Sequence, residues 1–567
     1  MGNAAPVPLN LPLGIDSFEK LRRENCYYID KTNFIRELVR QPFEVSLITR
    51  PRRFGKTLTM SMLEDFFDIA RDSRADFQDL NIYHDKEVCT EWMNQWPVIF
   101  LTLKSVSGNH FESAYGMLKV LISGLCKKYS FLEKSSCVDK DDRKIFKQLK
   151  SQDSSLENIK DCLYTLTRMM YHHYGKPVIL LIDEYDVPLA KASGFEYYHE
   201  MLDIIRALFD KALKSNEFLK FAVVTGCLKI AKESIFTGTN NFVSDTISGG
   251  RFDEYIGFTE ADTQKLLLDA GFADHKDEVK LWYDGYRFGS VNIYCPWDVL
   301  NHVAALARNP SKMPQSYWEN TSHNQIIRKF IERKDLWKEE HINDALETLL
   351  AGGYITQKIT ESLTYDMLHS SADNLWSLLY LTGYLTQAPE TVNIDPKSGL
   401  TALRIPNEEI HRLFQATIKE WFNDEIKAAD RTELFRALWE MDEKACAEIL
   451  SQMLFDTISY HDYREEYYHA FVTGVLSFAG YSVKSNAESG EGRPDITLKD
   501  ERNQRAILIE IKRSKTFGEM EHGCANALEQ IRNKQYGKEL EEEYKEILCY
   551  GICFYKKRCR VLGERYR

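Results

Sequence analysis

No stretch of this 567-residue chain reaches the roughly 18 uncharged apolar residues that a membrane helix requires, so no membrane span is expected. The amino-terminal MGNAAPVPLNLPLG lacks the basic segment and apolar run of a secretory signal. Gly2 invites a myristoylation reading, but Pro6 stands where that signal wants Ser or Thr. The 12 cysteines form neither a CxxC pair nor a spaced Cys/His cluster, which argues against a zinc site or a disulfide framework. Reduced thiols in a cytoplasmic protein are the expectation. Positive charge is outnumbered, 73 Lys and Arg against 85 Asp and Glu, and the net charge of −12 argues against a surface coated uniformly for nucleic acid. The charge is nevertheless uneven, because residues 501–567 carry 15 Lys/Arg against 11 Asp/Glu. If a polyanion binds, the tail is the favoured place, although a solvated mixed-charge surface explains the same counts. Repeats of fixed period and low-complexity tracts are absent too.

What the chain does contain is length enough for several domains and a succession of apolar segments. A helical pattern over Lys31–Val39 precedes the short apolar run Val45–Thr49, and a loop and an apolar helix follow it. Val178–Ile182 and Phe218–Thr225 read as buried strands, separated by amphipathic stretches such as Ile159–Tyr171 and Tyr198–Leu213. Continuous apolar strands alternating with amphipathic helices predict an α/β domain over 1–258, a parallel sheet with helices on both faces. Over 259–455 the pattern is mainly helical, as in Asp262–Ala270 and Ile342–Leu350, interrupted by aromatic-rich loops such as Trp282–Gly289. There, a helix over Leu375–Leu385 and a two-stranded signal around Leu400–Ile405 suggest a small winged-helix-like module within a lid and linker region. The last unit, 456–567, is α/β again. A helix over Arg464–Ala479 leads to strands at Ser482–Lys484, Asp495–Leu498 and Ala506–Ile511, a helix over Cys524–Tyr536 and a strand over Ile547–Phe554.

The loop Arg50-Pro-Arg-Arg-Phe-Gly-Lys-Thr57 holds the second half of a phosphate-binding loop. In such a loop backbone N–H groups surround the phosphates, Lys56 reaches their outer oxygens, and Thr57 offers a hydroxyl to magnesium at a helix start. Arg50 occupies the place of the first glycine, and GKT also occurs in ordinary turns. A second element raises its weight: Val-Ile-Leu-Leu-Ile-Asp183-Glu184 is an apolar strand ending in adjacent acids. Asp183 would hold the magnesium shell and Glu184 would polarise the attacking water. Thr225, at another strand end, either stands beside the terminal phosphate or merely caps the next helix.

Near the carboxyl terminus, Arg493-Pro-Asp495-Ile496 is followed by Ile507-Leu-Ile-Glu510-Ile-Lys512. Alternation along a strand puts Glu510 and Lys512 on one face, and a hairpin turn over KDERNQRA would bring Asp495 beside them. Two carboxylates suit Mg²⁺, which takes oxygen ligands and keeps waters, and an ammonium would steady the reacting phosphate. An edge strand with a solvated Glu/Lys pair gives the same string. Glu465, four residues before His469 on the preceding helix, is a candidate third acid, and Gln530 and Arg532 lie on a helix whose polar face would meet a phosphate backbone.

These segments together resemble a known architecture. GIDSFEKLRRENCYYIDKT, RPRRFGKT, LLIDEYD and TGCLKIAKESIFTGTNN resemble the AAA-ATPase-like family of bacterial proteins. EEYYHAF, GRPDI, IEIK and ALEQIRNKQY resemble the PD-(D/E)XK nuclease domain that accompanies it. The resemblance implies ATP as cofactor, a nucleotide-binding set of Arg53, Phe54, Gly55, Lys56, Thr57, Leu58, Asp183 and Thr225, and water handling by Glu184. It also implies a nuclease centre of Asp495, Glu510 and Lys512 supported by Glu465 and Gln530. Mg²⁺, with Mn²⁺ as a substitute, would be held by Thr57 and Asp183 in one site and by Asp495 and Glu510 in the other. Arg50 agrees with that family's own loop, whereas Lys229 stands where the wider family has an arginine.

The favoured reading is an ATP-binding and ATP-hydrolysing protein with a Mg²⁺-dependent phosphodiesterase, DNA rather than RNA being its partner. Nucleotide state would move the ATPase core against the helical region, exposing or ordering the nuclease face. A mobile-element or defence role rests on analogy with that architecture alone. The alternative is a nucleotide-gated switch whose C-terminal fold only holds nucleic acid or a partner. Self-association is open under either reading.

Overall fold

Five strands of the N-terminal half form one sheet in the order β2-β3-β4-β1-β5: β1 (Val45–Thr49), β2 (Val98–Thr102), β3 (Val178–Asp183), β4 (Leu219–Gly226) and β5 (Phe242–Asp245). Every pairing is parallel. β1 and β3 are buried along their whole length, which is why they read as unbroken apolar runs rather than alternating ones. The computed structural model describes residues 9–41, 43–229, 242–318, 342–361, 363, 372–389, 396–417, 431–455, 465–477, 481–485 and 494–567. Most of TGCLKIAKESIFTGTNN, Gly492 and Arg493, and the ends of the helix expected over Arg464–Ala479 lie outside the described residues.

The helix Tyr198–Leu213 has the expected bounds, and the stretch Ile159–Tyr171 divides at Asp161 into Leu156–Lys160 and Cys162–Tyr174. Three further strands, β6 (Phe258–Thr259), β7 (Tyr286–Phe288) and β8 (Val291–Tyr294), make an antiparallel sheet in the order β6-β8-β7. The segment Trp282–Gly289 is therefore not a loop. Trp282 and Tyr283 close the helix Lys276–Tyr283, and Tyr286 and Phe288 belong to a hairpin strand whose aromatic rings pack inward. The helix expected over Leu375–Leu385 runs Ala372–Leu381, and the two-stranded signal is β11 (Thr401–Arg404), paired with β9 (Ile355–Gln357) and β10 (Thr386–Gln387).

The last sheet has the order β12-β13-β14-β15-β16, with β12 (Ser482–Ser485), β13 (Ile496–Asp500), β14 (Arg505–Arg513), β15 (Glu546–Tyr555) and β16 (Arg558–Arg565). Only β14 and β15 run parallel, and the helix Met520–Asn533 makes the crossover that a parallel pair requires. Its buried stripe, Met520, Cys524, Ala527, Leu528 and Ile531, has the three-and-four spacing of a one-sided helix. The helix Glu465–Leu476 is anchored by Tyr468, which stacks on Phe554 of β15 at 4.3 Å, and by buried Phe471, Val472 and Val475.

Packing divides the chain into two compact units, Met1–Thr321 with Tyr354–Arg412, and Ser322–Gly353 with Leu413–Arg567. The lid and linker region expected over 259–455 is thus shared between them. No helix among the described residues is long and apolar enough to cross a membrane.

Candidate functional site

Between β1 and the helix Lys56–Phe67, the backbone turns through left-handed conformations at Arg53 (φ +73°) and Gly55 (φ +95°). A side chain at Gly55 would meet nothing within 4 Å, so it is backbone conformation, not crowding, that calls for glycine, and the space over the loop is open. Gly55 caps the helix without a side-chain hydrogen bond, which leaves the first-turn N–H groups for an anion. Lys56 is buried and its Nζ donates to the carbonyls of Arg50 (2.9 Å) and Pro51 (2.7 Å), so it curls back along the loop.

The sheet order brings the strand-end residues together. β4 lies between β1 and β3, with Ile48 opposite Thr225 and Ile182 opposite Val224. Asp183, 0% exposed, accepts the Thr57 hydroxyl on Oδ2 (2.8 Å) and the Thr225 hydroxyl on Oδ1 (2.6 Å). Glu184 follows in a left-handed conformation (φ +52°). Burial, then the Asp183 charge, push its carboxyl above the usual range, against the pull of Lys56, Lys104 and Arg52. Phe54 is 1% exposed and packs on Tyr286 and Phe288, so it would serve a nucleotide through its backbone alone. Arg53 is exposed and lies over the Trp297 ring at 4.3 Å, and Leu58 is half-buried.

The residue in place of the first glycine has a different task. Arg50 is fully buried, bonded to Asp245 at 2.7 Å and 3.6 Å from Asp253, with its guanidinium over Phe288. It pegs β1 to the end of β5. Arg50→Ala is expected to destabilise the protein by about 3–5 kcal/mol, because it strands a buried Asp245. Chemical denaturation of the full chain checks this, and a loss below about 1 kcal/mol would contradict it.

In the second unit Asp495 stands just before β13, and the pairing of Ile496 with Ile509 sets it across from Glu510 on β14. Asp495 Oδ2 accepts the Ile511 N–H (2.8 Å). Glu510 is 2% exposed; its Oε1 accepts from Lys512 Nζ (3.1 Å) and from the Gln530 amide. Glu465, half exposed at the start of its helix, has Oε1 3.7 Å from Lys512 Nζ. Asp495, Glu510, Lys512, Gln530 and Glu465 therefore converge, whereas Arg532 lies near Glu564, away from this group. Burial, then the neighbouring Asp495 charge, push Glu510 up to about 7. Burial alone would lower Lys512, but the Glu510, Glu465 and Asp495 carboxylates together outweigh it and its pKa is raised.

Family models match the parts of the chain that carry these two clusters. Residues 12–236 match the AAA-ATPase-like model, described as predicted AAA-ATPase, and residues 463–564 match the PD-(D/E)XK nuclease superfamily model. The chain joins an AAA-ATPase-like domain to a PD-(D/E)XK superfamily domain. An uncharacterised protein in the vnfD 5′ region of Azotobacter chroococcum mcd 1 is 25% identical over 565 residues, 98% of each chain. A Walker-type ATPase of Pyrococcus abyssi is similar at 15% identity and TM-score 0.35, over 72% of this chain and 98% of its own. The ORC2 protein of Aeropyrum pernix, as its ADPNP–ADP complexes, gives 12% and 0.25, over 75% and 97%.

Within the matched range, Pro494-Asp495 and Glu510-Ile511-Lys512 have the residue types after which the superfamily is named. The two carboxylates are neighbours, and the Glu510 pKa is raised by burial and then by the Asp495 charge, the second of which a divalent cation would relieve. Mg²⁺ takes oxygen ligands and keeps waters, so beside Asp495 and Glu510 phosphate oxygens and waters would complete its shell. The proton on Glu510 must leave before a metal binds. Apparent Mg²⁺ or Mn²⁺ affinity is therefore expected to rise as pH increases through about 7 and to weaken below it, as metal titrations followed by calorimetry from pH 6 to 8 would read. In the AAA-ATPase-like domain, the Asp183 carboxylate joined to the Thr57 hydroxyl has the donor set that a nucleotide-bound Mg²⁺ takes.

Sequence reasoning notes His469 only as a neighbour of Glu465. Its Nε2–H donates to the Asp495 carbonyl at 2.9 Å, fixing the backbone that carries the acid. The signal available is the four-residue spacing from Glu465, which names a face but not a carbonyl partner 26 residues on.

Proposed function

We propose that this protein binds and hydrolyses ATP in its AAA-ATPase-like domain and cleaves phosphodiester bonds, in DNA rather than RNA, in its PD-(D/E)XK domain. The observation that carries the second half is the convergence of Asp495, Glu510, Lys512 and Gln530 across two strands and a crossover helix. Mg²⁺ or Mn²⁺ at Asp495 and Glu510 would neutralise charge on the phosphate and lower the pKa of a bound water. Lys512, anchored by Glu510, presents an ammonium to the phosphate and assists the developing negative charge. Gln530 fixes the Glu510 carboxyl so that its other oxygen faces Asp495. Glu465 holds the outer side of Lys512.

In the ATPase half, the open loop at Gly55, the amine of Lys56 and the Thr57–Asp183 pair would receive the phosphates. Thr225 orients Asp183, and Glu184, with its raised pKa, would hold the attacking water. The test is incubation of the full chain with end-labelled duplex DNA, single-stranded DNA and matched RNA, with Mg²⁺ or Mn²⁺, alongside phosphate release from ATP. Cleavage of DNA with ATP turnover supports the reading. Cleavage of RNA alone replaces the substrate, and nucleotide binding with neither reaction favours the gated switch.

A further inference from the structure

The two residues after Glu184 touch neither candidate phosphate nor metal, yet they grip the loop that follows Thr225. Tyr185 is fully buried; its N–H donates to the Thr225 carbonyl (3.1 Å) and its hydroxyl to the Leu228 carbonyl (2.6 Å). Asp186, 2% exposed, accepts the consecutive N–H groups of Cys227 (3.0 Å) and Leu228 (3.1 Å) on one oxygen, Oδ2. Gly226 lies between the grip and the strand. A Cβ there would stand 2.6 Å from the Tyr185 ring and 2.8 Å from Asp186 Oδ1, so the close approach depends on glycine. The loop so held carries Cys227, whose sulfur is 3.9 Å from Lys56 Nζ.

These contacts join the ends of β3 and β4 at the point where Glu184 turns left-handed. A buried carboxylate receiving two backbone N–H groups is directional: it fixes the loop's position and not merely its burial. Through it, the placement of Thr225 on Asp183 and of Cys227 beside Lys56 depends on residues one and two steps beyond Glu184. We infer that Tyr185, Asp186 and Gly226 form a latch that positions Thr225 and Cys227 over the phosphate loop and thereby sets the turnover rate of ATP. Asp186 and Tyr185 are positioning residues, and the inference rests on the ATPase reading.

The test uses the full chain as wild type, Asp186→Ala, Tyr185→Phe and Lys56→Ala; alanine removes the oxygen that receives both N–H groups. Tyr185→Phe removes only the hydroxyl and keeps the test open if Asp186→Ala does not fold. Three readouts are taken: kcat and KM for phosphate release, the thermal melt, and the rate at which iodoacetamide alkylates Cys227, followed by peptide mass spectrometry with exposed Cys137 as internal reference. The latch predicts a kcat at least about 10-fold lower with KM within about 3-fold, since a small misplacement costs turnover more than binding. It also predicts Cys227 alkylation accelerated at least about 5-fold relative to Cys137, as loop opening raises thiol access. Unchanged kcat and unchanged Cys227 reactivity would overturn it. So would a fall in kcat matched by a rise in KM and lowered thermal stability, the mark of structural damage only. If the wild type releases no more phosphate than Lys56→Ala, the ATPase reading fails. Cys227 reactivity then decides the latch alone, acceleration upholding its geometry and no change overturning it.

Discussion

Asp495→Asn is expected to lower metal-dependent cleavage by about a thousandfold while leaving the fold intact. Asparagine keeps an oxygen to accept the Ile511 N–H that Asp495 holds at 2.8 Å, so the junction before β13 survives. What disappears is one of two negative charges. The Glu510 pKa, raised by burial and by Asp495, should then fall, and the metal-free protein should be no less stable near neutral pH. The sign follows from the direction of the shift. A carboxyl whose folded pKa lies above its unfolded value costs stability once the pH exceeds the unfolded value, and that cost grows until about pH 7. Removing the Asp495 charge reduces it. Cleavage of supercoiled plasmid and a thermal melt of the same preparation read both halves. Retained cleavage would move the metal site elsewhere; a collapsed melt would make Asp495 structural.

Lys56→Ala is expected to weaken ATP binding by about a hundredfold or more and to abolish phosphate release, since the β/γ oxygens lose their only reaching ammonium in the loop. The amine lies along the loop carbonyls of Arg50 and Pro51, so binding exchanges these two acceptors for phosphate oxygens. Fluorescent-nucleotide titration and phosphate release measure the two effects. A variant that still binds ATP as the wild type does would remove the phosphate loop from the account, whatever the second domain does. Cleavage by Lys56→Ala, with or without ATP, separately reports whether the two activities are coupled.

The fold is legible in the sequence where burial is complete. β1, β3 and β4 from Phe221 onward are buried residue after residue, so their apolar runs carry no competing pattern. β2 and β5 are harder: Val98–Thr102 is half-buried at Phe100 and Thr102, and Phe242–Asp245 ends in the acid that receives Arg50. β16 alternates exposed arginines with buried Cys559 and Val561, which reads as surface until its pairing with β15 is known. In the PD-(D/E)XK site, alternation along β14 suffices to put Glu510 and Lys512 on one face, and the hairpin brings Asp495 across from them. The roles that stay hidden depend on partners far away in the chain. Arg50 looks like a missing glycine until Asp245, 195 residues on, is placed beside it. Tyr185 and Asp186 look like the tail of an acidic strand end until Cys227 and Leu228 return to meet them.

The most direct measurement of the central claim is plasmid cleavage by the full chain with Mg²⁺ or Mn²⁺, with and without ATP, beside Asp495→Asn and Lys56→Ala. The account predicts nicking or linearisation that requires the divalent ion, vanishes in Asp495→Asn and changes in rate with ATP or with Lys56→Ala. Plasmid left intact under every condition, by protein that binds ATP normally, would contradict it.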